Sequence, residues 1–296
     1  MSNETLLARQ QIINGADAIS KLISDALVNK KGLLIGRHGS LEFQCVMQML
    51  RNWTIPSAVC TILERNAGIF PKGDATEWTK CYWNATLIAD GMATGWYAPT
   101  RNDEIELVTK YNPSAIQFPL RSLEPYYVEN NRWTRTLKGR RVTVVSSFTE
   151  TIEKQLKVSE AIWLDKAESI LPEGTQWSFV RSFYPPAYTS GTTAWKLESW
   201  KEAVDYLVSE VEKTNPEIVL LGCGGLAMIV AAKLKKKGII AIVLGGAIQV
   251  LFGIKGGRWK EHTIISTFWN DAWTYPSLDE TPKHAFNVEN SCYWQG

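Results

Sequence analysis

Apolar positions over residues 4–29 recur at helical spacing (Leu6, Leu7, Ile12, Ile13, Ala16, Ile19, Ile23, Leu27) and predict one long amphipathic helix. The apolar run at 32–35 predicts a short strand that passes straight into Gly36-Arg37-His38-Gly39-Ser40-Leu41-Glu42-Phe43. Ser40 is a good N-cap and predicts a second helix running to Arg51. Residues 57–69 and 75–91 also read as helices, the latter with Trp78, Tyr82, Trp83 and Leu87 on one side. Pro99, Pro113 and Pro119 punctuate the stretch from 92 to 120. Thr100 can cap a helix over 101–111, residues 115–118 form a candidate strand, and the polar, aromatic stretch 121–139 predicts a helix near Tyr127–Arg135.

A second alternation starts at Arg140. Residues 141–146 have the continuous apolar character of a strand buried on both faces. A helix at 149–156, an element opening at 161–164, a strand at 177–180 and a proline-rich loop at 184–191 come next. Then come an amphipathic helix at 196–213, a strand at 218–221, a helix at 226–237 and a strand at 239–244. This order predicts an α/β fold of Rossmann-like build, a mostly parallel sheet with helices on both faces. The 296 residues suit a single domain 1–296, or two intimate halves (1–139 and 140–269) with residues 270–296 as a tail packed across the body.

Composition narrows the function classes. The formal charge of +2 gives no sign of a nucleic-acid binder, and the lysines at 233 and 235–237 read as the solvated end of a helix. The apolar stretches 218–232 and 239–254 are too short and too glycine-broken to span a membrane. The N-terminus lacks the pattern of a secretory signal, and five cysteines without C-x-x-C spacing read as free thiols. A cytoplasmic protein is the expectation. Thirteen Trp beside ten Tyr and nine Phe are a surplus that leans toward sugar or nucleobase ligands, while any single Trp reads first as core.

Three glycine-bearing turns succeed predicted strands, where ligands of open α/β sheets bind. In the first, Gly36, Gly39 and Ser40 permit close approach of a donor, Arg37 can grip a phosphate, and Glu42 can act as a general base or as one metal ligand. His38 reads as sugar-facing or as a packed turn residue, and Arg37 with Glu42 reads equally as an ion pair. The second turn, Gly222-Cys223-Gly224-Gly225-Leu226-Ala227, fits G-x-G-x-x-A, whose N–H groups attract phosphate. An NAD site would also need an acid after the next strand, which ends instead in Gly245-Gly246. Packing alone is the other reading of this turn. The third segment, 245–259, offers Gln249 to a base or hydroxyl, Lys255 and Arg258 to a diphosphate, and Trp259 as a stacking face; its alternative is a solvated basic turn. Tyr188, Trp269 and Asp271 belong to two weaker clusters that either line an acceptor groove or simply pack.

The segments Arg37-His-Gly-Ser-Leu-Glu42 and 244–259 resemble the glycosyltransferases of the GT-D fold, whose helix-opening motif reads R-Y-G-D-G-E. The second segment is similar to a stretch recurring in bacterial and large-DNA-virus proteins of that kind; a viral source would place the chain in the host cytoplasm. The resemblance implies transfer of a sugar, xylose being one candidate, from a UDP-sugar donor to a hydroxyl of a glycan acceptor. It implies Glu42 as base and Mn²⁺ or Mg²⁺ as a cofactor held by an Asp-x-Glu pair. Here Ser40 replaces that Asp, and a serine hydroxyl is a poor ligand for such cations. Arg37, Lys255 and Arg258 would neutralise the leaving diphosphate. By analogy with the division of labour between glycosidase carboxylates, one base without a nucleophile suits inversion. The competing readings are an NAD(P)- or other nucleotide-dependent Rossmann enzyme, and a non-catalytic carbohydrate-binding protein.

Overall fold

The computed structural model describes residues 3–182 and 197–295. Helix α1 (Asn3–Asn29) leads to strand β1 (Leu33–Arg37) and helix α2 (Ser40–Leu50). Helix α3 (Ser57–Ile62) passes into a π turn, Leu63–Ala67, that ends on Gly68 at φ +78°. Then come α4 (Ala75–Leu87), β2 (Gly91–Ala93), α5 (Arg101–Tyr111), β3 (Ile116–Phe118) and the short α6 (Leu120–Leu123). The second alternation holds β4 (Arg141–Ser146), α7 (Thr149–Leu156), α8 (Ser159–Trp163), α9 (Ala167–Ile170) and β5 (Gln176–Arg181). It continues with α10 (Trp200–Lys213), β6 (Ile218–Gly222), α11 (Ala227–Lys236), β7 (Ile240–Val243) and α12 (Ala247–Leu251).

Among the described residues the strands form one seven-stranded sheet, in the order β3-β2-β1-β7-β6-β4-β5. All of its pairings are parallel. The central strands are apolar throughout because both faces are covered: residues of β6 at 218–221 and of β7 at 240–243 are buried. One core draws on α2, α4, α10 and α11; the other draws on α1, α8, α12 and the C-terminal residues Trp273, Val288 and Trp294. Strands from both ends of the sheet feed each core. Ser199 caps α10 by accepting from the N–H of Glu202, and Trp200, Ala203, Val204, Leu207, Val208 and Val211 give that helix its buried stripe.

The α/β, Rossmann-like expectation holds. Among the described residues, no helix is long and apolar enough to cross a membrane. Several local expectations need correction. Gly39, in extended conformation, is the N-cap of α2, and Ser40 is its first helical residue. The helix expected at 57–69 ends at Ile62, because the π turn beyond it docks on the Gly224–Gly225 turn. No α-helix forms at 127–135; Pro125–Tyr127 and Trp133–Leu137 are 3₁₀ turns instead. Tertiary bonds hold that segment, from Arg132 Nε to the Pro125 carbonyl (3.1 Å) and from Trp133 Nε1 to the Leu123 carbonyl (3.0 Å). The helix read as 75–91 stops at Leu87, and Gly91–Ala93 is a strand that no apolar run announces. The basic stretch after β7 is ordered by helix α12 and a 3₁₀ turn at Gly257–Trp259.

Candidate functional site

β1 leads into α2 on one face of the sheet, whereas its neighbour β7 leads into α12 on the other. A crevice opens at the carboxyl ends of strands that part in this way. Here it is a cleft of about 560 Å³. Every strand contributes to its wall: Arg37 ending β1 and Glu42 beyond it, Trp96 and Tyr97 after β2, Arg121 and Glu124 after β3, Ser147 after β4, Ser182 after β5, Gly222 ending β6 and Gly224 beyond it, and Gly245 and Gly246 after β7. Residues of the three expected turns, 36–42, 222–227 and 245–259, therefore share one rim.

Glu42 sits in the first turn of α2. Its carboxylate folds back over Gly39, where an added Cβ would come within 1.9 Å of Oε2. Glycine at 39 is what lets the carboxylate lie there. Burial pushes the Glu42 pKa up; a bond from its own main-chain N–H and the charge of Arg37 oppose the rise without cancelling it. Arg37 is aimed by its neighbours. Its Nη2 donates to the His38 carbonyl (3.1 Å), and its guanidinium lies over the Trp96 ring at 4.8 Å. Trp96 Nε1 donates to the same carbonyl at 3.0 Å.

His38 is not a sugar-facing residue. It is only 1% exposed, with Nδ1 on Glu104 (2.8 Å) and Nε2 on Thr86 (2.9 Å), so both ring nitrogens are committed inside the protein. Glu104 also accepts from the N–H of Gly95 at 2.7 Å, which fixes the approach to Trp96. Gly36 likewise lies off the cleft: a Cβ there would strike Met228 Sδ at 2.6 Å, a packing constraint.

The glycines of the other two turns differ. Gly225 packs against Ile69 and Ala67, outside the cleft wall, and accepts from Trp78 Nε1. Gly222 reaches the wall, but a Cβ there would meet Ile248 at 2.6 Å. Gly224, at φ +58°, abuts the Ala67 carbonyl. Gly245, also at φ +58°, lies under Arg37 (3.1 Å from an added Cβ), and Gly246 lies under Arg258 and Tyr293 (both 3.3 Å).

Arg258 and Trp259 line the cleft, and Gln249 forms part of its floor, fully buried, with Nε2 bonded to the Tyr293 carbonyl (2.8 Å). Lys255 does not reach the wall: its main chain bonds Thr274, and its ammonium lies over Trp269 (5.6 Å). Trp269 and the exposed Asp271 are away from the cleft as well. Tyr188 lies outside the described residues. Of the Trp surplus, Trp78, Trp83, Trp133, Trp163, Trp200, Trp273 and Trp294 are buried, so core packing accounts for most of it; Trp96, Trp259 and Trp294 wall the cleft.

Sequence reasoning missed several wall residues. Arg65 and Asn66 arrive on the π turn, Arg121 and Glu124 on and after α6, and His262 after the third turn. The C-terminal segment closes one side with Val288, Glu289, Tyr293 and Trp294. Glu289 pairs with Arg258, and the N–H groups of Gly257 and Arg258 donate to the carbonyls of Trp294 and Cys292 (both 3.0 Å). Fully buried Glu280 anchors this segment by accepting from the Glu150 N–H at the start of α7 (2.8 Å). Glu289, Asn290 and Ser291 all have left-handed φ (46°, 55° and 60°), a conformation costing roughly 1 kcal/mol or more per non-glycine residue.

The donor set does not fit the Mn²⁺ or Mg²⁺ that the family resemblance implies. Ser40 supplies no charge beside Glu42, Arg37 faces that carboxylate, and no group of three candidate ligand side chains occurs among the described residues. Compared with known proteins, the chain matches no family model, no curated protein and no solved structure.

Proposed function

We propose that this protein is a glycosyltransferase that moves a sugar from a UDP-sugar to a hydroxyl of a glycan acceptor, with Glu42 as general base. One observation carries the reading: a carboxylate of raised pKa shares a cleft wall, at the carboxyl ends of parallel strands, with Arg37 and Arg65, whereas Arg258 on the same wall is already paired with Glu289. Glu42 takes the acceptor hydroxyl proton as that oxygen bonds to the anomeric carbon. The bond from that carbon to the diphosphate oxygen breaks, and UDP leaves with the electron pair. The guanidinium groups offset the charge that develops on the leaving group. A raised pKa makes the ionised Glu42 a stronger base than an ordinary carboxylate. Direct attack from the face opposite UDP inverts the anomeric centre.

The test is UDP release across a panel of UDP-sugars, with UDP binding tracked by thermal shift. Wild type should release UDP from at least one donor, and Glu42→Gln should bind UDP but not turn over. Normal turnover by Glu42→Gln removes this residue from the chemistry. A wild-type chain that neither binds UDP nor releases it from any donor ends the reading; binding without release leaves a carbohydrate- or nucleotide-binding protein.

A further inference from the structure

We infer that the β2–β3 end of the cleft is an acceptor subsite for a neutral saccharide, held by Arg121, Glu124 and Tyr97. The inference rests on the glycosyl-transfer reading and adds the class of acceptor. Seven parallel strands at about 4.8 Å spacing spread the wall over about 29 Å, so two ligands can lie side by side along it. Charge divides the wall between them. Arg37 and Arg65 have no carboxylate at ion-pair distance among the described residues; Arg37 lies against Gly245, and the π turn that carries Arg65 packs on Gly224 through Ala67. Arg121 is different: Glu124, itself only 3% exposed, already neutralises it.

A diphosphate or a uronic acid gains little from a guanidinium that is already paired, and it meets the buried Glu124 carboxylate as a like charge. Sugar hydroxyls suit the same pair, because each both accepts from a guanidinium and donates to a carboxylate. Arg121 is held rigidly for this purpose, lying over the Tyr127 ring at 4.2 Å and within 3.3 Å of His262 Nε2. The half-buried Tyr97 supplies a flat apolar face to the C–H side of a pyranose. Trp259 reaches this end through an edge contact with His262 (6.0 Å) and links it to the turn after β7.

Saturation-transfer NMR on the full chain, with methyl β-xyloside, methyl β-glucoside and methyl β-glucuronide, tests the inference, with UDP binding measured in parallel. The neutral glycosides should bind and the glucuronide should bind at least tenfold more weakly. Glu124→Gln and Tyr97→Ala should each weaken the neutral glycosides tenfold or more while UDP binding stays within twofold. Equal or tighter binding of the glucuronide, or variants that leave glycoside binding intact, would overturn the inference, as would variants that weaken UDP as much as the glycosides. UDP binding without glycoside binding removes the subsite and keeps the transfer reading. Glycoside binding without any UDP binding removes the transfer reading and keeps the subsite.

Discussion

The turns after β6 and β7 look alike in sequence, since each ends a buried strand in glycines, yet they serve different ends. After β6, an added Cβ at Gly222 or Gly225 would strike the apolar side chains Ile248 and Ile69. After β7, an added Cβ at Gly245 would crowd the guanidinium of Arg37 (3.1 Å), and one at Gly246 would crowd that of Arg258 and the Tyr293 ring (both 3.3 Å). The first turn is glycine-rich chiefly so that the sheet, α12 and the π turn can close up. The second is glycine-rich so that two cations can lie flat against the strand end. A glycine motif alone does not separate these cases; the neighbour that fills the missing side chain's place does.

The contrast can be tested in descending order of effect. Arg37→Met should lower kcat/KM for the donor by about 100-fold or more, comparable to the loss of one preorganised donor group, with little change in melting temperature. Gly222→Ala should do the reverse. Overpacking against Ile248 costs about 1–3 kcal/mol and lowers the melting temperature by several degrees, while activity per folded molecule stays within about twofold. A Gly222→Ala protein of normal stability but poor turnover would collapse the distinction.

The pH response is a smaller effect. Because the folded-state pKa of Glu42 is raised, the native chain holds that proton more tightly than the unfolded chain does. Stability therefore falls as pH climbs from the ordinary carboxylate range through the raised value. Glu42→Gln should flatten that fall and raise the melting temperature at neutral pH while turnover is lost. In wild type and Gly222→Ala alike, activity should drop on the acid side as Glu42 is protonated, at a pH above the ordinary carboxylate range. The smallest effect belongs to Gly246→Ala. Its φ of −63° is unstrained and an added Cβ would stand 3.3 Å from the Arg258 guanidinium and from the Tyr293 ring, contacts that need a shift of only a few tenths of an ångström, so a several-fold rise in donor KM with a small stability change is expected.

Legibility tracked the length of the apolar runs. β4, β6 and β7 announce themselves because strands buried on both faces must be apolar throughout. β2 is only Gly91-Met92-Ala93, and without it the position of Trp96 and Tyr97 at a strand end cannot be read. Glu42 and Arg37 stood out because a charged pair beside glycines opened a helix. Arg121 and Glu124 did not, since a short charged pair between prolines looks like any surface turn until the fold buries it. His38 misled for the opposite reason: a histidine between glycines invites a chemical role, whereas Glu104 and Thr86, distant in sequence, absorb both of its nitrogens.

That every strand end borders the cleft has a consequence for the shape of what it can hold. Neighbouring parallel strands are rotated by about 20–25° on average, so the rim turns through roughly 120° or more from one edge strand to the other, a ramp and not a trough. A stiff, planar molecule can trace only part of such a path. A ligand with freely rotating ester linkages at its centre can wind along it, and inhibitor design against this site should begin from a hinged scaffold.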